Sequence, residues 1–214
     1  MAIISITCYL PRGAAMRPNA RSSCVRTLFV ALAVAVQVDA AMAMVVAKRD
    51  FPELVGRAEQ IVVGTVTDIG EETDVSGMPR TLVTFSDLTV LKGDAGPTLT
   101  LKLFGGSSGR AAVGIPEMPR FALGERAVLF VAGNGRDICP LVGVWQGRFR
   151  VRHDAERGME VVEDGEGRPL LGRSGRELNR AARSATAARP VSLDTFRQLI
   201  ADELAHPTTT EPMP

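Results

Sequence analysis

TLVTFSDLTVLK, residues 81–92, alternates apolar and polar side chains along most of its length and predicts a long β-strand. Its apolar residues change sides part of the way along, because Phe85 and Leu88 fall on opposite parities. A slip of one residue near residues 86–87 would return them to one face, and a β-bulge produces that slip. Since bulges bend long strands into the corners of small barrels, this stretch predicts a curved β-sheet.

The neighbouring segments supply further strands. Residues 60–69, QIVVGTVTDI, are rich in β-branched side chains, and residues 98–104 alternate leucine with polar residues. Residues 127–132, AVLFVA, are apolar on both parities, which predicts a central strand covered on both faces.

A hairpin is predicted from residues 141–152 and residues 159–164. Trp145 has the parity of the apolar residues that follow it, which predicts a core position rather than an exposed binding aromatic. A register with Val151 opposite Val161 also places the arginines of the first strand opposite acidic side chains. The arginine stripe is therefore expected to be a solvated, paired face.

Two helices flank the strands. Asp50 can cap a short helix that carries a proline in its first turn, and Ser192 can cap a helix with one apolar stripe. The expected organisation after the first 43 residues is a β-barrel domain over residues 44–171, a linker over 172–190, a C-terminal helix over 191–205 and a disordered tail over 206–214.

Residues 1–43 predict an export signal. Arginines precede an apolar core of about ten residues, and Ala-Met-Ala at residues 41–43 offers the small side chains that a signal peptidase accepts. Cleavage is expected between Ala43 and Met44, and Met16 is the favoured start, with residues 1–15 as an upstream extension. An uncleaved anchor is the competing interpretation, but polar residues within the apolar stretch would make spanning costly. The chain is therefore expected to be periplasmic or extracellular, with no membrane attachment after cleavage.

The net charge and the cysteine content indicate which partners and which cross-links are expected after the export segment is removed. Removal of the export segment leaves 21 basic and 23 acidic side chains, a net charge of −2, so a nucleic-acid partner is not expected. Cys8 and Cys24 leave with that segment, and Cys139 is then a lone cysteine for which no disulfide partner exists. A domain of this length without disulfides must be held together by its apolar core.

Residues 105–109, GGSSG, match the G-x-S-x-G pattern of a hydrolase nucleophile elbow with Ser107 as the nucleophile. That elbow joins a strand to a helix, and the glycines and prolines of residues 110–120 argue against a helix here. The two histidines, His153 and His206, are not placed as its base by any pattern. A flexible glycine loop is the preferred interpretation.

Metal and cofactor sites are not expected. Two histidines and one cysteine without ligand spacing do not predict zinc. The acidic segments at residues 71–74 and 160–166 lack the spacing of a calcium loop and are interpreted as solvated turns.

The long glycine-rich connection over residues 105–126 is the candidate contact surface. It carries Ile115, Met118 and Phe121 among polar neighbours, with Arg110 and Arg120 at its rim. Loops of this length in small domains are usually functional or mobile. Two interpretations stay open: these residues bind a partner, or they fold back and cap an open end of the barrel.

Three sequence elements carry a family resemblance: IVVGTV at residues 61–66, VLKG at residues 90–93, and F-x-x-GE-x-x-VLF at residues 121–130. Together they resemble the strand pattern of the netrin-like superfamily, which includes the tissue inhibitors of metalloproteinases, and they also resemble uncharacterised exported bacterial proteins. The similarity covers about residues 51–151. It implies an OB-type barrel and a protein-binding role. The inhibitors use an N-terminal cysteine, which the expected mature N-terminus near Met44 lacks, so no functional residue is transferred.

The sequence thus predicts a mainly β protein. Its fold class is a small five- to six-stranded OB-like barrel with a short N-terminal helix and a C-terminal helix packed outside. The expected function is an exported, non-catalytic interaction or ligand-binding module whose partner is another exported protein. A small serine hydrolase using Ser107 and a structural component of the cell envelope are the alternatives.

Overall fold

The computed structural model describes residues 47–108, 111–115, 118–181 and 189–208. Within them the chain is mainly β, as the sequence predicts. The helices and strands are α1 (Phe51–Arg57), β1 (Gln60–Thr73), β2 (Pro79–Lys92), β3 (Leu99–Phe104), β4 (Gly106–Ser108), β5 (Ala111–Val113), β6 (Arg126–Val131), β7 (Arg148–Asp154), β8 (Met159–Glu163), β9 (Leu170–Ser174), β10 (Glu177–Arg180) and α2 (Leu193–Ala205).

Six strands form one antiparallel sheet in the order β3-β2-β1-β6-β7-β8. The strands β4 and β5 form one separate hairpin, and β9 and β10 form another. The predicted central strand is confirmed, because β6 lies between β1 and β7 and is buried on both faces.

The predicted bulge in β2 is present. Val63 pairs with Thr89 and Thr65 pairs with Ser86, so β2 has one more residue than β1 in this interval. The extra residue requires an unusual backbone, and Asp87 has a φ of 53°. Leu88 thereby turns towards the buried side of the sheet and lies over Gly64, where a Cβ would come within 2.6 Å of the leucine side chain.

Each face of the sheet has its own core. The helix-covered core lies beneath α1 and α2 and contains, among others, Phe51, Phe130, Phe149, Phe196 and Ile200. The loop-covered core lies on the opposite face and contains Val62, Val66, Val83, Phe85, Leu99, Leu101, Leu103, Ala127, Leu129, Val131, Cys139 and Leu141. The alternation of side chains along β6 explains the division, since Val128 and Phe130 point to the first core and Leu129 to the second.

Both helices begin where the sequence predicts. Asp50 and Glu53 form a reciprocal capping box at the start of α1. Ser192 accepts the backbone N–H of Thr195 (3.1 Å) at the start of α2. The apolar stripe of α2 contacts the helix-covered core through Phe196 and Ile200, as expected for a helix docked on the outside of the sheet.

The prediction of one continuous strand over residues 141–152 is wrong. Gly143 and Val144 both have positive φ values, of 64° and 61°, and a 3₁₀ turn follows at Val144–Gly147 before β7 begins. Trp145 lies on this turn and is half-buried, so its strand parity did not place it in the core. The hairpin register differs by one residue, because Val151 pairs with Val162.

The segment expected to be a linker, residues 172–190, contributes structure instead. It holds most of β9 and all of β10, because Leu170 and Leu178 are buried in the helix-covered core. The sequence does not predict these strands because only these two apolar residues anchor a segment rich in arginine and glycine. Residues 182–188 lie outside the described residues.

The terminal predictions fall largely outside the described residues, which include neither the signal region, with its Ala43–Met44 cleavage position, nor residues 209–214. Thr208 is held by its backbone N–H, which donates to Glu203 Oε1 (2.7 Å). No helix among the described residues is long and apolar enough to cross a membrane.

Both edges of the main sheet carry backbone or side-chain partners. At β3 the backbone N–H of Lys102 donates to Asn134 Oδ1 (3.0 Å), and Asn134 Nδ2 donates to the carbonyl of Thr100 (2.8 Å). At β8 the backbone N–H of Val162 donates to the carbonyl of Val191 (3.0 Å). Such pairing occupies edge groups that another strand would otherwise use.

Candidate binding site

A cleft of about 490 Å³ lies between the sheet and residues 114–115 and 118–121. Its apolar lining comes from the strands and from these loop residues in similar measure: Ile69, Val83, Leu103, Phe104, Ile115, Met118, Pro119 and Phe121. Its polar lining includes Glu71, Thr81 and Arg120.

The register of the sheet produces the floor of this cleft. Ile69 pairs with Val83, and two residues further along Glu71 pairs with Thr81. Thr81 in turn pairs with Leu103 of β3. Because residues two apart on a strand point to the same face, the apolar pair and the polar pair lie side by side in the cleft.

Phe121 anchors the loop above this floor. Its ring packs edge-on against Phe85, with the ring centroids 5.4 Å apart, and the guanidinium of Arg148 lies 4.6 Å from the centre of the Phe121 ring. Arg148 Nε donates to Glu125 Oε1 (3.0 Å), and both side chains are buried. This buried ion pair ties the loop to β7.

A second cleft of about 370 Å³ lies on the other side of residues 118–120, which we call the strap. Trp145, Arg148 and Glu166 line it together with the strap itself. Gly165 permits this arrangement, because a Cβ there would lie 2.8 Å from the carbonyl oxygen of Trp145. The strap therefore separates two clefts and contributes Arg120 to both.

The structure brings together three of the four residues predicted as the contact surface. Ile115, Met118 and Arg120 line the first cleft, whereas Arg110 lies outside the described residues. Met118 and Phe121 also pack against the loop-covered core, as the capping interpretation expects. Ile115 is half-buried, lines the cleft and is not part of that packing. The sequence does not indicate the second cleft, since the strand parity of Trp145 predicts a core position for this residue.

The backbone around Ser107 is a strand, so it is neither an elbow nor the flexible glycine loop that the sequence predicts. Ser107 lies in β4 and pairs with Ala112 of β5. A nucleophile elbow requires a helix directly after the serine, and the chain forms a β-hairpin here instead. Its candidate bases lie on other elements, His153 in β7 and His206 at the end of α2.

The acidic turns use their carboxylates internally. Asp74 accepts hydrogen bonds from the Ser76 hydroxyl and the Met78 backbone N–H, which lower the pKa of Asp74 to about 2. Asp164 accepts the backbone N–H of Arg168 (2.9 Å) and its Nε (2.8 Å). Among the described residues no group of three metal-ligating side chains is assembled.

A third cavity, of about 420 Å³, lies where both helices end. Lys92 Nζ donates there to the carbonyl of Val55 (2.7 Å) at the end of α1, and burial lowers the pKa of this lysine. Glu203 on α2 is paired with Arg173 (2.7 Å). Burial opposes its ionisation, but hydrogen bonds from the Thr208 N–H and from Arg173 hold the pKa of Glu203 below its ordinary value. Lys92 thus contacts the end of α1, and the Arg173–Glu203 pair holds α2.

Comparison with known proteins gives no match: no family model, curated protein or solved structure is significantly similar to this chain.

Proposed function

We propose that this chain is an exported, non-catalytic binding module that takes a partner in the cleft beneath the strap. The observation that carries the proposal is the first cleft itself, because three of its apolar walls, Ile115, Met118 and Phe121, come from the loop that the sequence marks as a contact surface. A mostly apolar cleft of this volume with a few polar groups is typical of a ligand site.

The fold supports this location for the site. We propose that the bent six-stranded sheet is an OB-like barrel, a fold that binds ligands on one face and its adjoining loops. The cleft combines such a face with such a loop. Both sheet edges already carry hydrogen-bond partners, so a cleft partner is favoured over a partner that adds a strand to β3 or β8.

The export signal predicted at residues 1–43 implies that the partner is itself an exported protein or a periplasmic or extracellular ligand. A serine hydrolase is disfavoured because Ser107 lies within a hairpin strand. Failure of a fluorophosphonate probe to label the protein would agree with this, and labelling that Ser107→Ala abolishes would establish the hydrolase instead.

The experiment compares stability and partner capture in matched variants. Ile115→Ser removes a cleft wall that does not pack against the loop-covered core, and Met118→Ser removes one that does. Leu171→Ser is the control, because Leu171 is an exposed leucine on β9, away from the cleft. Each variant is melted and then used to capture partners from the exported fraction of the source cells.

We expect Ile115→Ser to lose capture with a small change in melting temperature, and the control to retain it. Met118→Ser is expected to lose both capture and some stability. If Ile115→Ser lowers the melting temperature strongly while the folded fraction still captures the same partner, the loop is a cap of the core and the proposed site is wrong.

A further inference from the structure

We propose that the ligand at the strap is an extended peptide segment in which one carboxylate side chain lies between two apolar side chains. The carboxylate would pair with Arg120, and the apolar side chains would enter the clefts on either side of it. This inference rests on the proposed function and specifies the chemistry of its partner.

Arg120 carries the argument for a carboxylate. Its side chain is exposed, lines both clefts, and makes no hydrogen bond or ion pair with any residue in the described part of the chain. Among the described residues that line these clefts, the other cation is Arg148, which is buried against Glu125. The anions Glu71 and Glu166 both have interactions of their own. A ligand carboxylate is therefore the group that completes the charge pairing at the strap.

The surroundings of Arg120 carry the argument for apolar neighbours. One cleft offers Ile69 and Ile115, and the other offers the ring of Trp145 beside the strap. Side chains at positions i and i+2 of an extended chain lie on the same side and are about 6.6–6.8 Å apart. A peptide with an acidic residue at i and leucines at i−2 and i+2 presents the three groups in the required order.

Trp145 provides the measurement, because it is the single tryptophan of the chain and lines the second cleft. The probe is the blocked peptide Gly-Ser-Leu-Ser-Glu-Ser-Leu-Ser-Gly, titrated into the protein while tryptophan emission is followed. Two further peptides replace the glutamate by glutamine or both leucines by serine. The protein variants are Arg120→Gln, Arg120→Lys and, as a remote control on α2, Arg197→Gln.

We expect the glutamate peptide to shift the emission and to bind more weakly as salt is added. Arg120→Gln should weaken it by about twofold to fivefold, the loss of one solvent-exposed ion pair, and Arg120→Lys should recover part of that. The glutamine peptide should bind the wild type and Arg120→Gln equally. Arg197→Gln should behave as wild type, and the serine peptide should not bind.

Equal binding of the glutamate and glutamine peptides to the wild type, or insensitivity to Arg120→Gln, would overturn the carboxylate assignment. In that case, binding of the glutamine peptide that Ile115→Ser abolishes would still support the cleft as the binding site. Absence of any leucine-dependent binding would overturn the peptide proposal, while loss of partner capture in Ile115→Ser would separately preserve the proposed function.

Discussion

Helices cover one face of the sheet and a loop covers the other, but a similar arginine–glutamate ion pair holds each cover in place. On the helix-covered face, Phe196 of α2 contacts the rings of Phe51, Phe130 and Phe149, with centroid distances of 6.0, 6.4 and 4.9 Å. On the loop-covered face, the described residues show one aromatic contact between the cover and the core, from Phe121 to Phe85. A helix places an apolar side chain over the core at every turn, whereas an irregular loop reaches it at isolated points.

Each of these two ion pairs joins a largely buried arginine to a buried glutamate, and in both the arginine lies over a phenylalanine ring. Arg173 pairs with Glu203 and lies 5.1 Å from the centre of the Phe51 ring. Arg148 pairs with Glu125 and lies over Phe121. Because these ion pairs are alike, the difference in the covers explains the cleft. The loop is held at Phe121, and space remains between residues 114–115 and 118–120 and the strands.

The largest expected effect is on the free energy of unfolding, which should fall more when the helix cover is altered than when the loop is altered. Phe196→Ala should lower the free energy of unfolding by about 3–5 kcal/mol, because it leaves a cavity among three aromatic rings. Phe121→Ala should cost about 1–2 kcal/mol, because this ring is only half-buried. Urea unfolding of both variants measures the difference. Equal losses would mean that the loop is as much a part of the core as the helix.

The next prediction concerns the ion pair between Arg148 and Glu125, which holds the loop against β7. Glu125→Gln leaves the Arg148 guanidinium buried without its counter-charge and should cost about 3 kcal/mol. The control is Glu160→Gln, which breaks the half-exposed pair with Arg126 and should cost less than about 1 kcal/mol. Chemical denaturation of the two variants gives both values. A cost for Glu125→Gln no larger than that of the control would show that the buried pair does not hold the loop.

The ion pair between Arg173 and Glu203, which holds α2, should make the stability of the chain depend on pH. Because the pKa of Glu203 is lowered in the folded state, its contribution is fully present above the ordinary glutamate pKa and is lost as the pH falls through the lowered value. Stability should therefore fall less steeply below pH 4.5 in Glu203→Gln than in the wild type. Melting temperatures between pH 3 and 7 test this, and parallel profiles would contradict it.

The smallest effect uses Cys139 as a reporter of the loop-covered core. Burial raises the pKa of this thiol to about 11, so a disulfide reagent at neutral pH should react slowly with the folded chain. Phe121→Ala should accelerate labelling, whereas Ile115→Ser should not, because Ile115 lines the cleft without packing on the core. The chain from Met44 onward, which has one cysteine, is the material to use. Rapid labelling of the wild type would show that this core is open.

The elements that could be predicted from the sequence are those whose cause is local. The parity change between Phe85 and Leu88 indicated the bulge, and the capping residues Asp50 and Ser192 located both helices. The apolar residues of the loop indicated Ile115 and Met118 as candidate contact residues, and both line the first cleft.

The elements that the sequence did not reveal depend on distant contacts. The hairpin of β9 and β10 has two buried leucines, Leu170 and Leu178, whose partners lie far away in the chain. Trp145 lies on a 3₁₀ turn and not in the predicted strand, because Gly143 and Val144 before it adopt positive φ values. The second cleft follows from that turn, so no periodicity in the sequence could have indicated it.

A partner bound in the cleft should protect the loop-covered face of the sheet and not the helix-covered face. Amide hydrogen exchange of the chain, alone and with its captured partner or the glutamate peptide, measures this on both faces at once. We predict added protection in residues 118–121 and in β1 to β3, with none in α2. Added protection in α2 without any change in residues 118–121 would contradict the assignment of the binding face.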